Sequence, residues 1–155
     1  MTEWKLPPKA KIYEALSAFA DGRVRIKSPN EAGVTSSAAD KEYSVQWSDD
    51  MKRLSSNDNA SYWQGYAGYP VVAVLLALGR IDFDAEIANS LAGVPWKRMN
   101  DRFKRDYDKA VDCVLEELEA KGVDRAAIVR QVDSIYAQLE ALKIERGPRT
   151  GPPPK

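Results

Sequence analysis

Tyr62, Trp63, Tyr66 and Tyr69 fall within ten residues, Ser61 to Pro70 (SYWQGYAGYP), and Gly65 and Gly68 separate them. Four rings spaced by glycines suit a surface for flat ligands better than a core plug, because glycine adds backbone freedom that a packed core does not need. Bases stack on such rings at roughly 1–3 kcal/mol each without regard to sequence, provided that cations nearby hold the phosphates. Trp63, Tyr66 and Tyr69 are the stacking candidates.

The cations come from three places. Arg23, Arg25 and Lys27 alternate with Val24 and Ile26. If the two apolar residues face a core, the three cations line one outer face of a strand. Lys52 and Arg53, on a neighbouring strand, extend that patch. Arg98, Arg102, Arg105 and Lys109 form a helical basic stripe beside an apolar one of Trp96, Met99, Phe103 and Tyr107. Asp101, Asp106 and Asp108 stand at salt-bridging spacings from it, so the same stripe also reads as a solvated helix face.

What is absent narrows the chemistry. The chain has no histidine and one cysteine, Cys113. That removes Ser-His-Asp and Cys-His catalysis and the ordinary structural zinc sites. No DxDxDG loop and no GxxxxGK[ST] or GxGxxG phosphate cradle occurs. The expectation is a binding protein rather than an enzyme, with no cofactor and no metal; an enzyme built on Asp49, Asp50 and Asp58 is a minor alternative. There are 23 basic and 23 acidic side chains, and residues 1–111 carry 16 against 15. A nucleic-acid domain is ordinarily basic, so any electrostatic footprint must be local. The longest apolar run, Val71 to Leu78, is far short of the ~20 residues of a membrane span. The first residues lack a signal peptide's apolar stretch, so a cytoplasmic location is expected.

The elements that position these groups follow from periodicity. Pro7 and Pro8 open a helix in which Ile12, Leu16 and Phe19 recur at helical spacing, and Asp21-Gly22 ends it. Residues 23–27 alternate as a strand, Val34 to Ser37 form a possible second, Lys41 to Trp47 alternate again, and Met51 to Ser56 follow a tight connection. Such short links give an antiparallel meander of three or four strands. Pro70 opens a helix that is apolar on all sides and closed by Gly79, then Asp84 to Leu91 form a short helix. Pro95 starts a long one running to about Ala120, and Asp124 caps the last, Arg125 to about Ile144. In that last helix Ile128, Val132, Ile135, Leu139 and Leu142 repeat at 4-3-4-3 spacing, a heptad seam favouring dimerisation. The same stripe alternatively packs on Val111, Val114, Leu115 and Leu118 of the preceding helix. The organisation is thus a binding domain over 1–108, a helical hairpin over 109–146 and a proline-rich, disordered tail over 147–155.

The order of KLPPKAKIYEALSAFADGRV, a short meander, SNDNASYWQGYAGYPVVAVLL, LAGVPW and a zipper-like last helix resembles the ThermoDBP family, single-stranded DNA-binding proteins of Thermoproteales archaea. The resemblance runs from about Lys5 to Ile144. It implies an α+β domain with a small antiparallel sheet packed against helices, and a cleft with aromatic walls and basic flanks. It also implies a leucine-zipper homodimer and a role in protecting single-stranded DNA during replication and repair. The expected partner is therefore single-stranded DNA, with RNA as the other candidate polymer, and no membrane. The runner-up is a dimeric adaptor whose aromatic loop grips a peptide; steep salt dependence would distinguish nucleic acid from a largely apolar peptide.

Overall fold

The computed structural model describes residues 2–155 and is an α+β fold. Helix α1 (Lys9–Ala20) leads into strands β1 (Val24–Ser28), β2 (Glu31–Thr35), β3 (Glu42–Trp47) and β4 (Arg53–Ser56). A π-helix (Ala60–Gln64) follows, then α2 (Tyr69–Ala77), α3 (Ala85–Ser90), α4 (Trp96–Arg102), α5 (Tyr107–Ala120), α6 (Arg125–Leu142) and β5 (Glu145–Arg146). The strands lie in sequence order, β1-β2-β3-β4-β5; the first three pairings are antiparallel and β4–β5 is parallel. The sheet therefore has five strands instead of three or four. The fifth is two residues long and docks from the far end of the chain, so no local alternation announces it.

Core positions follow from the patterns. On β3 the alternation sends Tyr43, Val45 and Trp47 inward, and all three are buried. The strand β1 departs from its pattern: it is the sheet edge, and Ile26 is 47 % exposed. The apolar α2 lies between the sheet and α1, and α1 in turn packs on α3, α5 and α6. Covered on all these sides, α1 is buried from Ala10 to Ala18, including Lys11 and Glu14.

The helix expected from Pro95 to Ala120 is two helices. Lys104 and Arg105 take left-handed φ of 53° and 66°, and Asp106 caps α5 by accepting from the Lys109 amide at 3.2 Å. A local capping aspartate overrides the continuous apolar stripe and divides the basic one, leaving Arg98 and Arg102 on α4.

The seam of α6 lies inside the chain. Ile128, Val132, Ile135 and Leu139 are buried in the same hydrophobic core as Ile12, Val71 and Val114, while Leu142 is half-buried. The outward face keeps one large exposed apolar residue, Val129. Pairing two copies through the heptad would have to withdraw these side chains from their own core. Ile135→Ala is expected to lower unfolding stability by about 2–5 kcal/mol, the usual cost of such a cavity. Denaturation at several protein concentrations checks this: the loss should be independent of concentration, whereas a midpoint that rises with concentration would place Ile135 in an intermolecular zipper.

Candidate functional site

A cleft of about 570 Å³ opens between the π-helix, the β2–β3 loop and the α4–α5 segment, with α1 as its floor. That volume lies within the ~300–1,000 Å³ typical of ligand sites. Its construction starts at Asp58, which is only 3 % exposed. The Asp58 carboxylate accepts from the Ser61 hydroxyl at 2.6 Å, from the Ser61 amide at 3.1 Å and from the Ser56 hydroxyl. The Ser61 hydroxyl oxygen accepts in turn from the Gly68 amide at 3.2 Å. A Cβ on Gly68 would overlap the carboxylate, which is why glycine stands there. One buried aspartate thus joins the end of β4, the π-helix and the entry to α2.

The π-helix turns its rings two ways. Trp63 is 68 % exposed at the cleft mouth, edge-on to Tyr62 with centroids 4.6 Å apart. Tyr66 and Tyr69 lie deeper in the wall, and Tyr69 meets Tyr43 edge-to-face at 6.3 Å. Burial pushes the Tyr69, Tyr66 and Tyr43 phenols above their ordinary range, so all three keep their O–H groups well beyond physiological pH. Opposite them, Trp96 is held by its indole N–H donating to Ser17 Oγ at 2.8 Å. Ser37 Oγ accepts from the Lys97 amide at 3.0 Å and so ties the β2–β3 loop to α4.

On the floor, Lys11 and Glu14 form a 3.0 Å ion pair, with the Lys11 ammonium 4.0 Å from the Tyr107 ring centroid. Burial raises the Glu14 carboxyl above its usual range, and Lys11 opposes that. For Lys11, burial acts to lower the ammonium, but Glu14, Tyr107 and Tyr66 outweigh it and the net direction is upward. This pair was not among the expected site residues. Its signal is the i,i+3 opposite charge on α1, which reads as an ordinary surface pair until the helix is found to be buried.

The expected site residues divide. Arg23, Trp63, Tyr66 and Tyr69 line the cleft. Arg23 is committed to structure: it pairs with Asp21 at 3.3 Å and donates to the Thr35 carbonyl at 2.7 Å. Arg25 and Lys27 lie on β1 away from the cleft, both paired with Glu42. Lys52 and Arg53 lie at the opposite edge beside β5, where Arg53 pairs with Glu145 at 3.7 Å. Arg98 and Arg102 are exposed on α4 outside the cleft. The five candidate strand cations therefore do not form one patch, because β2 and β3 separate them and Glu42 and Glu145 offset part of the charge at either end. The cations that do line the cleft are Lys11, Arg23, Lys41, Lys97 and Arg105. Three are paired, Lys97 with Asp101 at 3.2 Å, which leaves Lys41 and Arg105 with no carboxylate within 4.0 Å among the described residues. Arg105 reaches the cleft because of its left-handed backbone at the α4–α5 break. Of the carboxylates Asp49, Asp50 and Asp58, only Asp58 faces the cleft, so they do not form a catalytic group. Among the described residues no group of three or more potential metal ligands occurs, and no helix is long and apolar enough to cross a membrane.

Fold and site together define a small α+β protein with one aromatic cleft of mixed charge. The chain belongs to the family of uncharacterised conserved proteins UCP014422, whose model matches residues 4–145. No curated protein and no solved structure matches it.

If Asp58 organises this wall, Asp58→Ala should cost about 2–4 kcal/mol, since it leaves buried hydroxyl and amide donors without an acceptor. Gly68→Ala should cause a similar loss with the carboxylate still present. Denaturant unfolding combined with amide exchange over residues 60–68 measures both; native stability and protection in either variant would contradict this assignment.

Proposed function

We propose that this protein binds single-stranded nucleic acid, DNA in the first instance, in the cleft between the π-helix and the α4–α5 segment. The observation that carries the reading is Trp63: a large indole, exposed at the mouth of a cleft whose inner wall is further aromatic. An exposed ring costs the fold apolar surface in water, and a base stacked on it removes that surface. Tyr66 lies below it and offers a second ring, while Lys41 and Arg105 stand on the rim for phosphates. The neutral phenols and the Lys11–Glu14 pair supply donors and acceptors to base edges. The working unit is one chain with one cleft, in keeping with the use of the α6 seam inside the core. Protection of single strands in replication and repair is the cellular role that fits a binder of this kind.

Two free rim cations set a modest electrostatic contribution. Each phosphate contact contributes about −0.7 to the slope of log affinity against log salt for a single strand. Binding to an oligothymidine short enough to occupy the cleft alone should therefore be salt-sensitive, with a slope of only about −1 to −2, and duplex of the same length should bind worse. Trp63→Ala should weaken binding by roughly 5- to 150-fold, the loss of one stacked base, with stability unchanged. Lys41→Gln with Arg105→Gln should flatten the slope by about 1.4, while Arg98→Gln with Arg102→Gln leaves it as it was. Fluorescence anisotropy of labelled oligothymidine and of a labelled duplex at several salt concentrations reads these binding outcomes; no binding at low salt, or equal binding by Trp63→Ala, would overturn the proposal.

A further inference from the structure

Beyond the cleft, the chain end brings a second set of cations to the same aromatic edge. After α6 the backbone returns to the sheet as β5, where the Arg146 amide donates to the Thr2 carbonyl and the Gly147 amide to the Leu54 carbonyl at 2.9 Å. This seats two guanidinium groups beside the π-helix. Arg149 lies 4.2 Å from the Tyr62 ring centroid and donates to the Tyr62 carbonyl at 3.1 Å. Arg146 lies 4.8 Å from the Trp4 ring centroid, and its guanidinium stands 3.6 Å from where a Gly65 Cβ would be. Trp4 is itself fixed, its indole N–H donating to the Leu54 carbonyl at 2.9 Å. Along this edge two guanidinium groups lie between rings, in the order Trp63, Tyr62, Arg149, Arg146, Trp4.

The cations of β1 have a carboxylate partner, and these two do not. Neither Arg146 nor Arg149 has a carboxylate within 4.0 Å among the described residues, and the nearby Glu145 is engaged by Arg53. Both are exposed, so their charge faces water. A guanidinium held over a ring still presents N–H donors at its edges, and although Arg149 gives one to the Tyr62 carbonyl, the remaining donors suit a phosphate. The ridge is continuous with the cleft because Trp63 belongs to both.

We propose that the ridge formed by Trp4, Tyr62, Arg146 and Arg149 is a second nucleic-acid contact, which carries a single strand from the cleft mouth across the π-helix to the chain end. The inference rests on the cleft being a single-strand site. A strand leaving the cleft over Trp63 meets Arg149 next and then Arg146, so the ridge acts only on strands longer than the cleft holds.

Oligothymidines of roughly 4 and 16 nucleotides, the span over which single-strand modules differ in site size, separate the two contacts in the full-length chain. Arg146→Gln with Arg149→Gln should weaken binding of the longer strand about tenfold and flatten its salt slope by about 1.4, with the shorter strand unaffected. Lys121→Gln with Arg130→Gln removes the same charge from the α5–α6 hairpin and should change neither. A matching thermal melt of the variant keeps misfolding apart from loss of contact. If the native chain binds both strands and the Arg146/Arg149 variant retains native affinity and slope on the longer one, the ridge is refuted and the cleft stands. If the hairpin variant loses as much, the effect is bulk charge and the ridge is refuted too. If the native chain binds neither strand, both readings fail together.

Discussion

The buried Asp58 carboxylate is the constraint from which the site follows. A polar group removed from water is tolerable only when its oxygens are hydrogen-bonded, and here two hydroxyls and an amide engage them. Meeting that demand fixes the chain direction at three places at once: the end of β4, the first turn of the π-helix and the start of α2. Between the second and third of these, the backbone has to accommodate the extra residue of a π-turn and closes it at Gly65 with φ of 75°. Trp63 stands on this π-turn and faces water. The cost of leaving an indole exposed is accepted where a ligand covers it, and π-turns are common at such places.

Charge is arranged by the same logic of pairing. The chain is neutral overall, yet neutrality is reached by matching cations and carboxylates unevenly across the surface. Glu42 holds both Arg25 and Lys27, Asp21 holds Arg23, Glu14 holds Lys11. The cations left without a carboxylate include Lys41 and Arg105 on the cleft rim and Arg146 and Arg149 beyond it. An exposed pair contributes little to stability, about 0–1 kcal/mol, so the effect of this pairing is on where positive potential remains. Among the described residues Arg98, Arg102, Lys121 and Arg130 are also without an ion pair, so what sets the aromatic edge apart is that its four cations stand beside the rings of the cleft and the ridge.

Much of the fold was legible in the sequence wherever one face of one element decided the matter. The alternation of β3 located Tyr43, Val45 and Trp47, and the wholly apolar α2 announced its own burial. Three features escaped for identifiable reasons. The break at residues 103–106 was masked because Met99, Phe103 and Tyr107 continue a helical stripe across it, and the capping role of Asp106 is a local competitor that the stripe does not reveal. Strand β5 is two residues long and pairs with β4 from about ninety positions away, beyond the reach of any local pattern. Ile26 satisfied the strand period but is half exposed on the edge strand, since period reports which residues share a face and not whether that face is covered. The aromatic candidates were readable from their spacing, whereas the cations were not: whether an arginine is free depends on which carboxylate the fold brings to it.

The four tryptophan indoles provide the most direct test of the central claim, that a single strand binds over the π-helix. Trp4, Trp47 and Trp96 donate their indole N–H groups to Leu54, Pro29 and Ser17, and only Trp63 has no such partner among the described residues. Their N–H signals in a proton–nitrogen NMR spectrum, followed during titration with oligothymidine, report separately on the mouth, the ridge, the inner wall and the far end of β3. The account predicts that the Trp63 signal moves most, with Trp96 and the amides of residues 36–41 and 104–107 following, while Trp47 stays fixed. Shifts concentrated on Trp47 or on the outward face of α6, with Trp63 unmoved, would contradict it.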